Sequence, residues 1–565
     1  MNENKIYFDY TKYMTIEALD DEVVINLQRK CEYGIDGIGW MKSFNIVAQK
    51  NQFISFKNIL KEGESFGKIN IVGKCRLHGN SLSLIFGDQA SENTDISNYT
   101  NSFSYLFYEC LDIQDVSDDF LPSTKLADSC YMRMFYGCTN LKKPPKLPAT
   151  SLKQNCYLEM FRDCKSLTVA PELPATTLAN YCYQNMFDGC ISLATAPELP
   201  ATTLAYNCYN YMFYGCSSLV NATELPATTL ASSCYNNMFS GCTSLTTAPE
   251  LPATILDNHC YEHMFSGCTS LTTAPELPAT TLGDYCYYSM FQNCTSLISA
   301  PELPAATLTM DCYHSMFSDC TSLITAPKLP STSLTVGCYD NMFRDCTSLT
   351  SAPELPATTL AHGCYSSMFR GCTNLVNAPE LPATILASSC YKNMFSGCTS
   401  LNYIKMLATD ISAVDCLYYW VYLVSSTGTF VKSKDATWSI RGISGIPSDW
   451  TVITDEEESG GIFPATLIPT IEENLTNYNI AKYFVDNYPD MVVDDRGAYT
   501  PITEDLTIEG TYSSNGKVIG VAKWIDGNSL LFFTDKFIIA KYTFRVFMDM
   551  EGIPKGYANE FLIMD

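Results

Sequence analysis

Residues 234–259 read CYNNMFSGCTSLTTAPELPATILDNH, and the same pattern returns every 26 residues along most of the chain. A first cysteine recurs from Cys130 to Cys416 in steps of 26, and a second cysteine follows it eight residues later, from Cys138 to Cys398. These steps define 11 regular units, and Cys110 marks a degenerate unit before them. Self-similarity at a fixed period of this length predicts a solenoid, in which each unit packs against its neighbours.

Each unit predicts one coil of this solenoid. Leu178, Cys182, Met186 and Cys190 are spaced four residues apart, which is the spacing of one face of a short helix. The prolines of the following APELP segment prevent a helix from continuing, so we predict a short strand with narrow sheet pairing on that side. A coil this small cannot hold a core alone, so stacking must bury its apolar columns.

The cysteine columns leave three alternatives, which are reduced packing thiols, disulfides and metal ligands. Zinc-binding pairs are usually two to four residues apart, and neighbouring parallel segments give poor disulfide geometry. A buried free cysteine behaves as a small hydrophobic residue. We therefore expect no metal and no cofactor, but a structural core ladder of buried side chains, represented by Cys182, Met186, Phe187, Cys190, Cys208 and Cys216.

One short segment has the form of a catalytic motif. The sequence HCYEH, from His259 to His263, fits the H-x-x-E-H pattern of a zinc peptidase family. These positions vary freely between units, however, and such an enzyme also needs a third ligand and a cleft. Because no nucleophile triad, phosphate loop or dinucleotide motif stands out elsewhere, we predict a protein without enzymatic activity and without catalytic residues.

The unit TLxxxCYxxMFxGCTSLTTAPELPA resembles the BspA-like, or Treponema-type, leucine-rich repeats of bacterial surface proteins. Met238, Phe239, Cys242 and the pair Leu251–Pro252 stand at positions of that family's pattern, and the likeness covers about 104–416. The unit is longer than usual in the family, and a cysteine replaces an aliphatic residue. Near-identical units followed by GTFVKSKDATW and SGIPSDWTV look typical of gut Bacteroidales and their phages. The resemblance implies a leucine-rich-repeat solenoid that serves adhesion or recognition.

The flanks of the array differ from it in composition. Alternating apolar and polar residues predict strands before the array, and three of the five tryptophans fall just after it. We predict a β-sandwich-like capping domain over 1–103, the solenoid over 104–416, its C-terminal cap over 417–453 and an acidic linker over 454–461. For residues 462–565 we predict an α+β or mostly β domain that serves attachment or oligomerisation. This last domain should contain a helix near NYNIAKYFVDNY and hairpins at Asn515–Gly516 and Asp526–Gly527.

The charge and the apolar runs restrict the partners. A net charge of -25 predicts repulsion from nucleic acid and from anionic membranes. The N-terminal residues show neither the basic nor the apolar region of a signal peptide, and no stretch reaches the ~18 apolar residues of a membrane span. We therefore expect no nucleic-acid partner, no membrane insertion, no signal peptide and no transmembrane segment.

The positions that vary between units lie around the first cysteine and after Met-Phe. They are rich in Tyr, Asn, Ser and His, as antibody combining sites are, whereas a merely soluble surface uses more Lys and Glu. Neutral drift on a solvent-exposed face is the alternative. The candidate binding residues are Tyr181, Tyr206, Tyr211, Tyr214, Asn236, Asn237, His259, His263, Tyr285, Tyr288, His314, Arg344, His362 and Arg370.

These observations lead to three hypotheses about function. The first is a rigid rod that displays the variable face to a cell-surface protein or glycan of a bacterium or host, as a phage tail-associated receptor-binding protein does. Such a protein lies on the virion tail, and a terminal domain contacts other virion proteins. The second is a bacterial adhesin of the same repeat family on an exposed cell surface, and the third is a structural virion or scaffold component.

Overall fold

The computed structural model describes residues 11–456 and six short strands between Ala522 and Ile563. The chain divides into two units, Met1–Glu456 and Glu457–Asp565. One α-helix, α1 (Ser83–Phe86), and two 3-10 helices, Gly87–Glu92 and Asp118–Phe120, occur in the first unit. Its strands are β1 (Met14–Ala18), β2 (Glu22–Ile35), β3 (Ile38–Gln49), β4 (Phe53–Lys57), β5 (Ile69–Val72), β6 (Cys75–His78), β7 (Ile113–Val116), β8 (Tyr403–Met406), β9 (Thr429–Lys432) and β10 (Thr451–Thr454).

The N-terminal region is a seven-stranded sheet in the order β3-β2-β4-β1-β6-β7, with β5 also paired to β2. Val23, Ile25 and Leu27 of β2 are buried and alternate with less buried residues, as the period of a strand requires. The sandwich-like domain expected here instead has its strands in one continuous sheet, because β2 pairs with β5 through its first half and with β4 through its second half.

The sheet joins the repeat array through hydrogen bonds. Strand β6 pairs in parallel with β7, which belongs to the first coil. The N–H groups of Phe66 and Ile69 donate to the carbonyls of Ser102 and Leu106 over 2.9 and 2.7 Å. A parallel bridge between Asp95 and Lys125 precedes the first regular unit. The expected boundary between residues 103 and 104 therefore falls inside a hydrogen-bonded coil.

The cysteine-containing half of each coil is a run of turns. The prediction of a short helix from the four-residue spacing is therefore wrong. In the segment 181–190, the N–H groups of Gln184 and Met186 donate to the carbonyls three residues earlier. The N–H groups of Tyr183 and Phe187 donate instead to carbonyls of the next coil. Consecutive four-residue turns return the chain to the same side, so they reproduce the spacing of a helix face. Residues 104–416, all of them described, contain no α-helix.

A left-handed residue ends each of these turns. Tyr181, Asn185 and Gly189 have φ values of 60°, 53° and 73°, and equivalent positions of other coils have the same conformation. Asn, Asp and Gly tolerate this region best, and other side chains are strained in it. Two of the variable positions are the one directly before the first cysteine and the one directly before Met-Phe. The residue types at these positions are therefore restricted by the left-handed backbone conformation as well as by their place on the surface.

The proline-containing half of each coil pairs with its neighbours only through isolated bridges. Thr195, Asn221 and Thr247 form successive parallel bridges, and Thr203 pairs in the same way with Thr229. The narrow pairing predicted from the prolines is confirmed, although it is too narrow to make the expected strand. True strands appear as β7 and β8, at the two ends of the array, where the sequences IQDV and YIKM contain no proline.

Two aromatic ladders fill the core between the two halves. Tyr183 stacks on Tyr209 with ring centroids 5.8 Å apart, and Phe187 stacks on Phe213 at 5.6 Å. The tyrosine ladder runs through every regular unit, the phenylalanine ladder runs beside it, and both end against Trp420. The expected core residues Cys182, Met186, Phe187, Cys190, Cys208 and Cys216 are all fully buried beside these rings.

The second cysteine of each unit forms a specific contact. The thiol of Cys190 donates a hydrogen bond to the carbonyl of Phe161 in the preceding coil, over 3.1 Å, and the same contact recurs from Cys138 to Cys398. All 26 cysteines of the chain are unpaired and buried in this structure. Burial raises the pKa of Cys182 to about 12, so this thiol remains protonated and unreactive.

The C-terminal end of the array is closed by further coils. Strands β8, β9 and β10 are parallel neighbours, with Tyr403 opposite Thr429 and Thr429 opposite Thr451. The indole N–H of Trp420 donates to the carbonyl of Gly445 over 2.8 Å, which holds the ring over the last tyrosine and phenylalanine. Residues 417–453 thus cover the apolar end of the aromatic ladders and continue the parallel pairing of the array.

The second unit is described only by its strands. The strands β11 (Ala522–Ile525), β12 (Ser529–Phe532), β13 (Tyr542–Thr543), β14 (Val546–Met548), β15 (Pro554–Tyr557) and β16 (Leu562–Ile563) form a sheet ordered β11-β12-β14-β15 and a separate pair β13-β16. Antiparallel β11 and β12 lie on either side of the predicted turn at Asp526–Gly527. The predicted helix and the hairpin at Asn515–Gly516 lie outside the described residues, as does most of the acidic linker.

The left-handed positions yield a prediction about stability. Replacing Asn393, whose φ is 55°, by valine should lower the free energy of unfolding by about 2–3 kcal/mol, because a β-branched side chain is strained at positive φ. Replacing it by glycine should change that energy by less than about 1 kcal/mol. Chemical denaturation of both variants, beside the neighbouring Lys392→Val as control, measures the difference. Equal losses in all three variants would contradict the turn geometry.

The thiols yield a second prediction, about reactivity. In native protein, a thiol reagent such as dithionitrobenzoate should label few of the 26 cysteines within minutes, because they are buried and protonated. In guanidinium chloride, without any reductant, all of them should react. Rapid labelling of half or more of the thiols in folded protein would contradict the packing, and incomplete labelling of unfolded, unreduced protein would reveal disulfides.

Candidate functional site

The turn segments present one surface of the array, which we call the turn face. It consists of the side chains at the two positions before each first cysteine and at the second, third and sixth positions after it. All fourteen candidate binding residues lie at these positions of the regular units. Because each coil donates backbone hydrogen bonds to the next, equivalent side chains stand in fixed columns.

Four tyrosines form the first part of the turn face. The rings of Tyr181 and Tyr206 meet edge to face with centroids 5.3 Å apart, and the rings of Tyr211 and Tyr214 are tilted at the same distance. Tyr206 and Tyr214 are each 41% exposed. Ring contacts of this kind fix the side chains before any partner arrives, while leaving their hydroxyl groups accessible.

A histidine and tyrosine cluster follows two coils later. His259 stacks on Tyr285 with ring centroids 4.9 Å apart, and Tyr288 stacks on His314 at 4.5 Å. His263 contacts Tyr288 edge to face at 5.3 Å. The structure therefore brings these five predicted residues together across three successive coils.

Carboxyl groups and an amide complete this cluster. Glu262 lies 2.7 Å from Nδ1 of His259 and accepts a hydrogen bond from the amide of Asn236 over 2.6 Å. Burial lowers the pKa of His263 and of His314, although the nearby Asp311 opposes the shift at His314. Burial also raises the pKa of Asp340 to about 7. Near neutral pH these two histidines are therefore uncharged, and the cluster presents aromatic rings beside carboxyl groups.

The structure corrects the expectation for two of the predicted residues. Asn236 and Asn237 are 9% and 8% exposed, so they are buried rather than displayed. The side chains of adjacent coils close over this column, and Asn237 donates to Asn236, which is itself bound to Glu262. Their amides position the cluster and are not free to meet a partner.

Three predicted residues lie apart from these clusters. Arg344 is bound through Nε to the carboxylate of Asp345 over 3.0 Å. His362 and Arg370 are exposed. In the described part of the chain, no ring or ion-pair contact joins these three residues to the tyrosine or histidine clusters.

The turn face also contains a part that the sequence did not indicate. Arg133 donates to the hydroxyl of Tyr105 over 2.8 Å and to Glu159 over 2.7 Å. In the next column Tyr108 stacks on Tyr136 at 4.9 Å. These residues occupy the same positions as the candidates. Aligning Cys110 with the second cysteine of each unit is the signal that identifies Tyr105 and Tyr108, and the degenerate unit obscured it.

The chemistry available to this surface is contact and hydrogen bonding. Within residues 11–456 and the described strands, no group of three or more His, Cys, Asp or Glu side chains is placed to hold a metal ion. The HCYEH segment accordingly forms ring and carboxylate contacts. Among the described residues, no helix has the length and apolar character needed to cross a bilayer.

The match to a family model agrees with this architecture. The family model "BspA type Leucine rich repeat region" matches in 6 copies, over residues 183–324, 233–375 and 310–415. A similar solved structure is described as "Crystal structure of TLR13-ssRNA13 complex", with 15% sequence identity and a TM-score of 0.20. The similarity covers 64% of this chain and 53% of that one, so this chain spans about half the length of that protein. No curated protein matches the chain.

The array is a repeat solenoid of the leucine-rich-repeat class, as the sequence predicted. More specifically, its repeats are BspA-type leucine-rich repeats, which confirms the resemblance noted in the repeated unit. Repeats of this class suggest a role in protein interaction or adhesion.

Asp340 yields a prediction about pH. Because its pKa rises from 3.8 when unfolded to about 7 when folded, the folded protein binds the proton more tightly, and stability falls as the pH rises from about 4 to 7. Asp340→Asn should therefore raise the free energy of unfolding by about 1–3 kcal/mol at pH 8 and change it little at pH 4. Thermal unfolding at both pH values, with the exposed Asp257→Asn as control, measures this. A gain that does not depend on pH would contradict the assignment.

Proposed function

We propose that this protein is a recognition or adhesion protein that binds a cell-surface protein or glycan through the turn face. The observation that carries this proposal is the set of tyrosine and histidine rings held against one another in successive coils, with Tyr206 and Tyr214 each 41% exposed. Rigid aromatic side chains supply contact area at a low cost in conformational entropy.

The backbone beneath the rings supports the same proposal. Five N–H groups of the segment 181–190 donate to the next coil, so neighbouring side-chain columns cannot slide relative to each other. A surface ordered before binding loses less entropy when a partner docks. A surface that serves only solubility does not require aromatic rings that contact one another, and neutral drift does not favour such contacts.

We propose further that the protein is carried on a phage tail as a receptor-binding protein. The support is the resemblance of the units and of the segment following them to sequences typical of gut Bacteroidales and their phages. A bacterial surface adhesin with the same repeats is the alternative, and the turn face serves recognition in either setting. In the third alternative, a structural virion component, the turn face has no receptor.

We propose, finally, that recognition occurs without catalysis. All 26 thiols are buried, which keeps them from reacting with a substrate. The side chains of His259, His263 and His314 contact tyrosine rings and carboxylates. Among the described residues, no hydrogen bond joins a histidine ring of the turn face to a serine hydroxyl or a cysteine thiol. The surface therefore offers binding groups without the arrangement of a general base beside a nucleophile.

Binding to intact cells tests the proposal. Labelled full-length protein is incubated with a panel of gut bacterial strains, beside a variant with Tyr206, Tyr211, Tyr214, Tyr285 and Tyr288 changed to Ser. We expect strain-selective binding by the parent protein and at least a tenfold loss in the variant, because the rings that supply the contact area are removed.

The matched control removes exposed apolar side chains outside the turn face. Ile255, Ile298 and Ile324 are 65%, 50% and 49% exposed, and their joint change to Ser should leave cell binding unchanged. Thermal unfolding verifies that both variants are folded. Binding that survives loss of the tyrosines would place the receptor site in another region, and a folded parent protein that binds no strain would favour the structural role.

A further inference from the structure

A cavity of about 490 Å³ opens where the N-terminal region meets the first coil. This volume lies in the range of small-ligand sites. The cavity is separate from the tyrosine and histidine clusters described above, although it lies at the N-terminal end of the turn face. Its lining includes Gln28, Gly67, Lys68, Asn101, Tyr105 and Tyr108.

The cavity exists because the first coil has an incomplete neighbour. The segment 66–69 takes the place of a preceding coil, through the hydrogen bonds of Phe66 and Ile69 to residues 102 and 106. It does so with a short extended stretch and without a run of turns. Gly67, at a φ of 88°, lies close to the Gln28 side chain, and both residues line the space that a neighbouring coil fills elsewhere.

One wall of the cavity consists of aromatic side chains held in place from behind. Tyr105 and Tyr108 contact each other with ring centroids 5.5 Å apart. The guanidinium of Arg133 binds the hydroxyl of Tyr105, and Tyr136 stacks on Tyr108. The rings thus form a preformed platform rather than two mobile side chains.

The other walls are polar and contain one cation. The ammonium of Lys68 lies 5.3 Å from the ring centroid of Tyr108, and no ion pair to Lys68 is found among the described residues. The carbonyl of the Gln28 side chain accepts from the Lys68 backbone N–H over 2.8 Å, so this bond holds a polar side chain in the cavity wall. In a protein with a net charge of -25, this lysine marks a local attraction for an anion.

We propose that this cavity binds a saccharide unit that bears a carboxylate. The C–H face of a sugar ring packs on the Tyr105 and Tyr108 platform, and its hydroxyl groups meet the amides of Gln28 and Asn101. The carboxylate pairs with the ammonium of Lys68. A purely apolar ligand leaves these polar groups unpaired, and a cationic ligand meets the lysine with like charge. This site does not depend on the turn-face proposal, because it uses different residues.

Binding of matched acidic and neutral sugars to the full chain tests the site. Calorimetric titrations compare sialyllactose with lactose, and galacturonate with galactose. We expect at least one acidic sugar to bind at least tenfold more tightly than its neutral counterpart. Lys68→Gln should abolish this preference, because the charge is lost while a polar side chain of nearly the same length remains. Tyr108→Ala should weaken binding of both sugars at least tenfold.

A matched variant separates this site from the rest of the turn face. Tyr214→Ala removes a tyrosine at the same position of a coil four repeats later and should leave sugar binding unchanged. Thermal unfolding verifies that each variant is folded. If no acidic sugar binds, including those on a printed array of acidic glycans, the proposal is overturned. It is also overturned if Lys68→Gln and Tyr108→Ala leave sugar binding unchanged. If changing Tyr206, Tyr211 and Tyr214 abolishes cell binding but not sugar binding, the sugar site is independent of the rest of the turn face.

Discussion

The alternation of hydrogen-bond donors along the turn segments is the constraint on which the array depends. In the segment 181–190, every second N–H group closes a turn within its own coil, and the groups between them donate to the next coil. This division satisfies the backbone of a segment that has neither a helix nor a sheet, as a buried backbone requires. It also fixes the register of neighbouring coils, since a slip by one residue would exchange the two sets of donors.

The core and the composition of the repeats follow from that register. Because the register of neighbouring coils is fixed, Tyr183 lies over Tyr209 and Phe187 lies over Phe213. This register is sufficient to explain the aromatic ladders. The second cysteine fits because a thiol is small, apolar enough to be buried, and able to donate to the phenylalanine carbonyl of the coil before. The tight turns require left-handed residues, which accounts for much of the Asn, Ser, Asp and Gly at positions that otherwise look free to vary.

The two proposed binding regions arise from different features of the same surface. Within the regular coils, rings such as Tyr288 and His314 contact each other because the coils hold them in adjacent columns. At the N-terminal end, the cavity beside Tyr108 opens because the repeat is interrupted there. Regularity therefore supplies an extended contact surface, whereas the interruption supplies an open pocket. The first suits a macromolecular surface and the second suits a small ligand.

The 26-residue spacing alone was sufficient to predict a solenoid, the buried thiol columns and the weak pairing beside the prolines, because these depend on period and on side-chain type. The spacing could not distinguish a helix from a run of turns, since both repeat nearly every four residues, and the helix prediction was wrong. The sequence named Tyr181, Tyr206, His259 and Tyr285 as surface candidates, but it also named Asn236, which is buried. Only the tertiary structure decided which columns remain exposed and where a cavity forms, because both depend on how closely the next coil, or the N-terminal sheet in its place, packs against each position.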